Sequence, residues 1–418
     1  MAGKILLLVC DGLSDRPIPE LDNKTPLEAA RTPNLDRLAE RGITGLMHSL
    51  GRGLTPGSDT SHLNILGYDF REFYSGRGTI EVAGLGMELR HGDVALRGNM
   101  GTVDGALHIV DRRAGRIADT SPFTQIVDGL EVEGVKFIVR PGTAHRVGII
   151  MRGEGLSNKI SDNDPHGLSE SDPRAKEHKA LQVEPCDQTP EAARTAAVLN
   201  KFLARAHAIF EASDANKKRI AEKQLAANYL LVRGAGLYRH VPPFAERHEG
   251  LRACCIAAGG LYRGIGAYTG MTVLPLLPGT TALPNTDIRA KFTKAREMLL
   301  GEFDFAFVHV KAADSLGEDG KWKEKRDFIE RIDEAAELLL DLKDTLVAVT
   351  ADHTTPCALC KHSADPVPVM IVGDGVRVDS VRQYGERAAA SGGLGRLVGT
   401  DLMPELLNLL GRYKLTGA

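Results

Sequence analysis

The stretch "KILLLVCDGLSD" (4–15) decides how the rest of the chain is read. Six apolar residues, Ile5 to Cys10, run without interruption and stop at Asp11. A run that short and that apolar reads as a buried strand: a membrane span needs ~20 residues, and no leader-cleavage pattern follows. Two later segments repeat the device. "FDFAFVHV" (303–310) runs into "KAADSLGEDG", and "DTLVAVT" (344–350) runs into "ADHTTP". Helical patterns stand beside them. "TPLEAARTPNLDRLAERG" (25–42) reads as one helix closed by Gly42, and in "WKEKRDFIERIDEAAELLLDLK" (322–343) Phe328, Ile329, Ile332, Ala336 and Leu339 share one face. Strands alternating with helices predict an α/β fold whose parallel sheet is covered on both sides.

The middle of the chain changes character. From about 91 to 249 there are short strand candidates ("VKFIVR", "HRVGIIMR"), many turns and one long amphipathic helix, "PEAARTAAVLNKFLARAHAIF" (190–210). Its stripe comprises Val198, Leu199, Phe202, Ala206, Ile209 and Phe210. This predicts a smaller α+β domain, 91–249, inserted into a first domain made of 1–90 and 250–418 that resumes near "ACCIAAGG" (253–260). At 418 residues the chain is long enough for two domains. A net charge of −3 without a basic run argues against a nucleic-acid or membrane partner. Six cysteines and no secretion signal point to a reducing cytoplasm rather than a disulfide framework. Nothing in the sequence fixes the oligomeric state.

Three of the strand candidates are followed by a carboxylate: Asp11, Asp314 and Asp352. One such Asp is an ordinary helix cap. Three, with His353 adjacent and His362 nearby, predict convergence at the carboxyl edge of a parallel sheet, where crowded acids need a cation. In "LTPGSDTSHLNILGYD" (54–69), Ser58 follows Pro-Gly and opens a predicted helix, so it is either a nucleophile candidate or a cap. His62, one turn on, orients its surroundings or simply packs. Cys357 and Cys360 form a lone C-x-x-C, and structural zinc wants four ligands. Cys254 and Cys255 could complete a set only as adjacent ligands, an unusual arrangement, so Cys357 and Cys360 read better as small, partly buried apolar residues of a loop.

A set of motifs in order along the chain resembles a family. "CDGLSDRPIPEL" (10–21), "TPGSDTSHLNILGYD" (55–69), "YSGRGTIEVAGLGMEL" (74–89), "DRRAGRI" (111–117), "GLSNKISDNDPH" (155–166), "LLVRGAG" (230–236), "HVKAADSLGEDG" (309–320) and "TADHTTPCALCKHSADPVPV" (350–369) together resemble the archaeal-type cofactor-independent phosphoglycerate mutases of the alkaline phosphatase superfamily. The resemblance implies an alkaline-phosphatase-like sandwich, metal-binding, interrupted by a substrate-binding domain that closes over the glycerate. It implies that Asp11, Ser58, Asp352 and His353 hold one divalent ion, and that Asp314, residue 318 and His362 hold another. Ser58 would take the phosphoryl group and return it to the other hydroxyl, with two cations clamping the displacement. The implied cofactors are two divalent ions, Mn²⁺ first, with Mg²⁺, Co²⁺ or Zn²⁺ as alternatives, and no 2,3-bisphosphoglycerate.

At 318 the chain departs from the family pattern, with Glu318 where a histidine is expected. A carboxylate there favours harder ions such as Mn²⁺ or Mg²⁺. For a small phosphorylated substrate the natural readers are Arg112, Arg113, Arg116, Arg146, Arg233 and Arg263, with Lys311 as a phosphate contact or a partner of Asp314. Asp111 is the candidate acid/base for the glycerate hydroxyls, with a turn-forming role before Arg112 as the alternative. Two other functions stay open at this level: transfer to water, giving a phosphatase acting on a related phosphorylated or phosphonate compound, and a binding protein that keeps the fold.

Overall fold

The computed structural model describes residues 2–167, 172 and 176–413. In chain order its strands are β1 (Lys4–Cys10) and β2 (Gly42–His48). There follow β3 (Val94–Val103), β4 (Ile109–Asp111), β5 (Glu131–Val132), β6 (Val135–Pro141), β7 (Arg146–Arg152) and β8 (Tyr229–Leu237). The remainder are β9 (Ala253–Ile256), β10 (Thr272–Val273), β11 (Phe305–Val310), β12 (Thr345–Thr350), β13 (Val367–Val372) and β14 (Gly395–Val398).

Two compact units divide the chain: 1–74 with 242–418, and 75–241. The first is built on an eight-stranded sheet of order β10-β9-β11-β1-β12-β13-β2-β14. Only β13 runs against the other strands, pairing antiparallel with β12 and β2. Strand β1 sits between β11 and β12, parallel to both, with Cys10 opposite Val310 and Val9 opposite Thr350. Residues 305–310 and 345–350 are buried without alternation, as strands covered on both faces must be. The α/β class with a largely parallel sheet is therefore the one read from the sequence.

Two local expectations change. The segment 25–42 forms two short helices, Pro26–Ala29 and Pro33–Ala39, because Pro33 forces Thr32 out of the helical region. Gly42 opens β2 instead of capping a helix, and its sequence, "GITGLMH", is too interrupted by glycine to announce a strand. The helix Trp322–Ala336 buries Phe328, Ile329, Ile332 and Ala336 as its periodicity requires, and buries Lys325 as well.

In the second unit β4-β3-β7-β6-β5 form one antiparallel sheet, with β8 pairing β3. The helix Pro190–Ala212 lays Val198, Leu199, Phe202, Ala206 and Phe210 into its core, where Phe202 stacks on Phe137 at 3.8 Å. The helix Arg77–Gly84 belongs to this unit, so the division falls at 74/75 and 241/242 instead of 90/91 and 249/250. The reason is close backbone packing. A Cβ at Gly78 would meet the carbonyl oxygens of Ala95 and Gly234 at 2.2 and 2.6 Å, so glycine is what lets this helix lie on β3 and β8.

A partly buried acid ties the loop after β1 to the helix Glu386–Ala389. Glu386 accepts from the Thr25 hydroxyl (2.8 Å) and the Asp15 N–H (3.2 Å), and burial pushes its pKa up to about 7. A raised carboxyl pKa means that the folded state prefers the protonated form. The stability that this group contributes is complete below its unfolded pKa of ~4.3 and is lost as pH rises through about 7. Glu386→Gln should therefore raise Tm at pH 8 by roughly 2–4 °C, the scale of about 1 kcal/mol, and change it little at pH 5, as read by differential scanning calorimetry.

Candidate metal centre

Because β1, β11 and β12 are adjacent and parallel, their carboxyl ends lie side by side. Asp11 follows β1 directly, Asp352 and His353 follow β12, and Asp314 lies in the helix Ala312–Glu318 that follows β11. Gly12 allows the loops to close on one another. Its φ is +62°, and a Cβ there would stand 2.5 Å from the Asp314 Cα. Ser58 opens the helix Ser58–Ile65, where the first N–H groups have no intrahelical acceptor. Its hydroxyl donates to His353 Nε2 at 3.2 Å.

Two sets of side chains bring ligand atoms within 4.8 Å of one another: Asp11, Asp352 and His353, and Asp314, His353 and His362. His353 is common to both. Its Nε2 lies 3.3 Å from Asp11 Oδ1 and 3.1 Å from Asp352 Oδ2. Both of those oxygens are buried and lack a hydrogen-bond donor, whereas Asp352 Oδ1 accepts from the N–H groups of Gly12 and His353. Buried carboxylate oxygens without donors are costly unless a cation completes them, so the residues present fit a divalent ion.

The imidazoles are turned the same way by their partners. The Thr355 hydroxyl donates to Asp314 Oδ1 (2.8 Å), so its oxygen accepts from His353 Nδ1 (3.0 Å). His362 Nδ1 donates to the Pro56 carbonyl (2.9 Å), and His62 Nδ1 to the Ser58 carbonyl (2.6 Å). These partners commit Nδ1 as the donor, so in the neutral imidazole the lone pair lies on Nε2, the form a ligand needs. His362 Nε2 is 3.4 Å from Asp314 Oδ1. Burial opposes charge on His362, but Asp314 and the Pro56 carbonyl hold its pKa up to about 9. For Asp11, burial is outweighed by Lys311, His309 and His353, and its carboxyl stays well below the usual range.

Glu318 closes the helix Ala312–Glu318, half of its side chain exposed, with Oε1 3.9 Å from His362 Nε2 and outside both sets. Burial and the charge of Asp314 push its pKa up. Lys311 lies with its Nζ 2.7 Å from Asp314 Oδ2 and 3.5 Å from Asp11 Oδ2, so it pairs with acids. Arg263 donates to the carbonyls of Leu274 (2.7 Å) and Ala257 (3.4 Å) and anchors a loop. Cys357 is buried and Cys360 exposed, neither sharing a set with the acids and histidines, and all six cysteines are free.

In the second unit Arg112 and Arg233 share the buried carboxylate of Asp164. Arg112 grips it with both Nε (3.2 Å) and Nη2, and Arg233 Nε lies 3.4 Å away. Asp111 Oδ1 accepts from the N–H groups of Arg113 (2.7 Å) and Gly115 (3.1 Å), the turn-forming role named as its alternative. Arg113, Arg116 and Arg146 are exposed.

Several participants were missed in the sequence. Tyr262 donates its hydroxyl to Asp11 Oδ2 and stacks on His309, whose Nε2 is 3.3 Å from the same oxygen. His309 had a signal, as the one ionisable residue in the apolar run of β11. Lys325 had another, three residues before Phe328 on the apolar stripe. Its Nζ, fully buried, donates to the Ser14 carbonyl (3.0 Å), Asp15 Oδ2 (2.9 Å) and the Thr355 carbonyl (2.9 Å), binding the loops after β1 and β12 together. Lys325→Met would leave Asp15 buried and unpaired, and urea unfolding should show a loss of about 3–5 kcal/mol.

Residues 3–409 match the Metalloenzyme superfamily. The chain is 46% identical to a 2,3-bisphosphoglycerate-independent phosphoglycerate mutase of Archaeoglobus fulgidus and 44% identical to one of Methanoculleus marisnigri, covering at least 99% of this chain and 100% of each relative. Among solved structures it is similar to a Pyrococcus horikoshii protein (TM-score 0.82, 35% identity, 100% of both chains). It is also similar to the cofactor-independent phosphoglycerate mutase of Thermoplasma acidophilum (TM-score 0.72, 36% identity, 98% of this chain and 100% of that one). A strand-end cluster of acids and histidines around a helix-opening serine, in a chain alike from end to end, belongs to the 2,3-bisphosphoglycerate-independent phosphoglycerate mutases of the metalloenzyme superfamily.

Proposed function

We propose that this protein interconverts 3-phosphoglycerate and 2-phosphoglycerate through a phosphoserine at Ser58. The observation that carries the reading is the position of Ser58 Oγ, 3.2 Å from His353 Nε2, beside the donor-free oxygens Asp11 Oδ1 and Asp352 Oδ2. Asp11, Ser58, Asp352 and His353 would hold one divalent ion, and Asp314, Glu318 and His362 the other, with Mn²⁺ favoured over zinc by the carboxylate-rich donor set. When bound, the cations lower the cost of ionising the serine hydroxyl and neutralise the oxygens of the transferring group.

The steps on the chain's own residues follow. Ser58 Oγ gives up its proton and attacks phosphorus as the bond to the glycerate 3-oxygen breaks, and that oxygen takes up a proton, leaving a phosphoserine and glycerate. The 2-hydroxyl of that glycerate then attacks the phosphoserine, loses its proton and restores Ser58. Helix-opening N–H groups at Ser58 favour the phosphoryl charge. Thr355 keeps the His353 lone pair turned toward Ser58 by fixing Nδ1–H. The inserted unit, with Arg112 and Arg233 oriented by Asp164, would read the substrate's carboxylate and phosphate bidentately. Arg113, Arg116 and Arg146 are further readers on the same unit. Asp111 stays a candidate for proton transfer through its second carboxylate oxygen.

A ³¹P NMR time course with 3-phosphoglycerate and Mn²⁺ tests the reading. The expected outcome is 2-phosphoglycerate without inorganic phosphate, with loss of at least ~10³-fold in rate for Ser58→Ala, the scale of removing an activated nucleophile. Accumulation of inorganic phosphate would make the protein a hydrolase instead. Gly12→Ala should lower turnover by ~10²-fold or more with folding retained, because a displacement of about 1 Å between reacting groups costs that much. Chelation should abolish turnover, and Mn²⁺ should restore it.

A further inference from the structure

The two ligand sets share His353 but differ in what already bonds their oxygens. In the first, Asp11 Oδ1 and Asp352 Oδ2 have no donor and converge on His353 Nε2. In the second, both oxygens of Asp314 are engaged: Oδ1 by the Thr355 hydroxyl at 2.8 Å, and Oδ2 by Lys311 Nζ at 2.7 Å. A histidine Nε2 offers one lone pair, and Nδ1 of His353 is committed to Thr355. An ion taken by Asp11 and Asp352 therefore claims His353. The second set is then left with Asp314, His362 and the outlying Glu318, whose Oε1 stands 3.9 Å from His362 Nε2. Lys311 also approaches Asp11 Oδ2 at 3.5 Å, so its ammonium bridges the acids of two adjacent strand ends.

We infer that Lys311 is a built-in cation that makes the two ion sites unequal. The ion on Asp11, Asp352 and His353 binds first and tightly. The ion on Asp314, Glu318 and His362 would reach Asp314 through Oδ1, which faces His362 Nε2 at 3.4 Å, and must work against the charge of the Lys311 ammonium held on Oδ2, so it binds later and more weakly. The inference rests on the reading of these residues as a metal centre, and it concerns binding rather than turnover. Lys311 is a positioning residue in this account, and nothing in it depends on the identity of the phosphorylated substrate.

The test uses Mn²⁺ alone with the full chain, following free ion by electron paramagnetic resonance in a titration of the metal-stripped protein. The wild type should bind two ions per chain in two steps separated by at least tenfold in Kd. Lys311→Met should tighten the second step by tenfold or more and leave the first within about threefold. Lys311→Arg, which keeps the charge, should reproduce the wild-type separation. Lys311→Gln serves beside Lys311→Met, with circular dichroism melts showing which of them is folded. Two steps of equal affinity in the wild type, or a second step unmoved in a folded neutral variant, overturns the inference. No Mn²⁺ binding overturns the metal centre and the inference with it. Two unequal steps with no conversion of 3-phosphoglycerate would sink the mutase reading and leave the role of Lys311 standing.

Discussion

Crowded acid at the carboxyl edge of one sheet is the constraint on which the rest depends. Asp11, Asp314 and Asp352 are buried at adjacent strand ends, and two like charges about 4 Å apart repel by about 4 kcal/mol at the effective dielectric of a protein. The fold meets this with donors placed oxygen by oxygen. Tyr262 and Lys311 serve one oxygen of Asp11, backbone N–H groups one oxygen of Asp352, and Thr355 and Lys311 the pair on Asp314. What is left without donors, Asp11 Oδ1 and Asp352 Oδ2, faces a single imidazole nitrogen.

The supporting structure works at the same precision. Lys325 joins the loops that carry Asp11 and His353, through three acceptors spread over residues 14 to 355. Gly12 lets those loops approach to a distance that no side chain would tolerate. Carbonyls and a hydroxyl at Nδ1 of His62, His353 and His362 fix three tautomers together. Each device costs stability by itself, through buried charge, a left-handed backbone or an unpaired nitrogen. The apolar strands on either side of β1 supply the packing that offsets it.

The inserted unit follows another rule. Its core is an antiparallel sheet closed by one long helix, and its buried Asp164 holds two guanidiniums by a single carboxylate. Arginines fixed in that way keep their planar faces oriented at little entropic cost when an anion arrives. Asp111 shows the opposite: a carboxylate oxygen in a motif can be engaged in closing a turn.

By itself the sequence determined the class of the fold and named Asp11, Ser58, Asp314, Asp352, His353 and His362, which the fold brings together. Uninterrupted apolar runs ending at Asp11 and before Asp314 and Asp352 mean parallel strands with acids at one edge, because burial on both faces is written into local composition. Helical periodicity likewise gave the buried stripes of 190–212 and 322–336, and the Pro-Gly turn before Ser58 pointed to a helix start there. Tertiary structure alone decided the rest. Which oxygen of Asp11 stays bare depends on Tyr262, 251 positions away, and whether Lys325 is buried depends on Asp15, 310 positions away. Lys311 reads in the sequence as a phosphate contact or a partner of Asp314, and its approach to Asp11 appears only when β1 and β11 are set side by side. Donors and acceptors are assigned by proximity in space, and a one-dimensional pattern carries that information only when the partners are also neighbours in the chain.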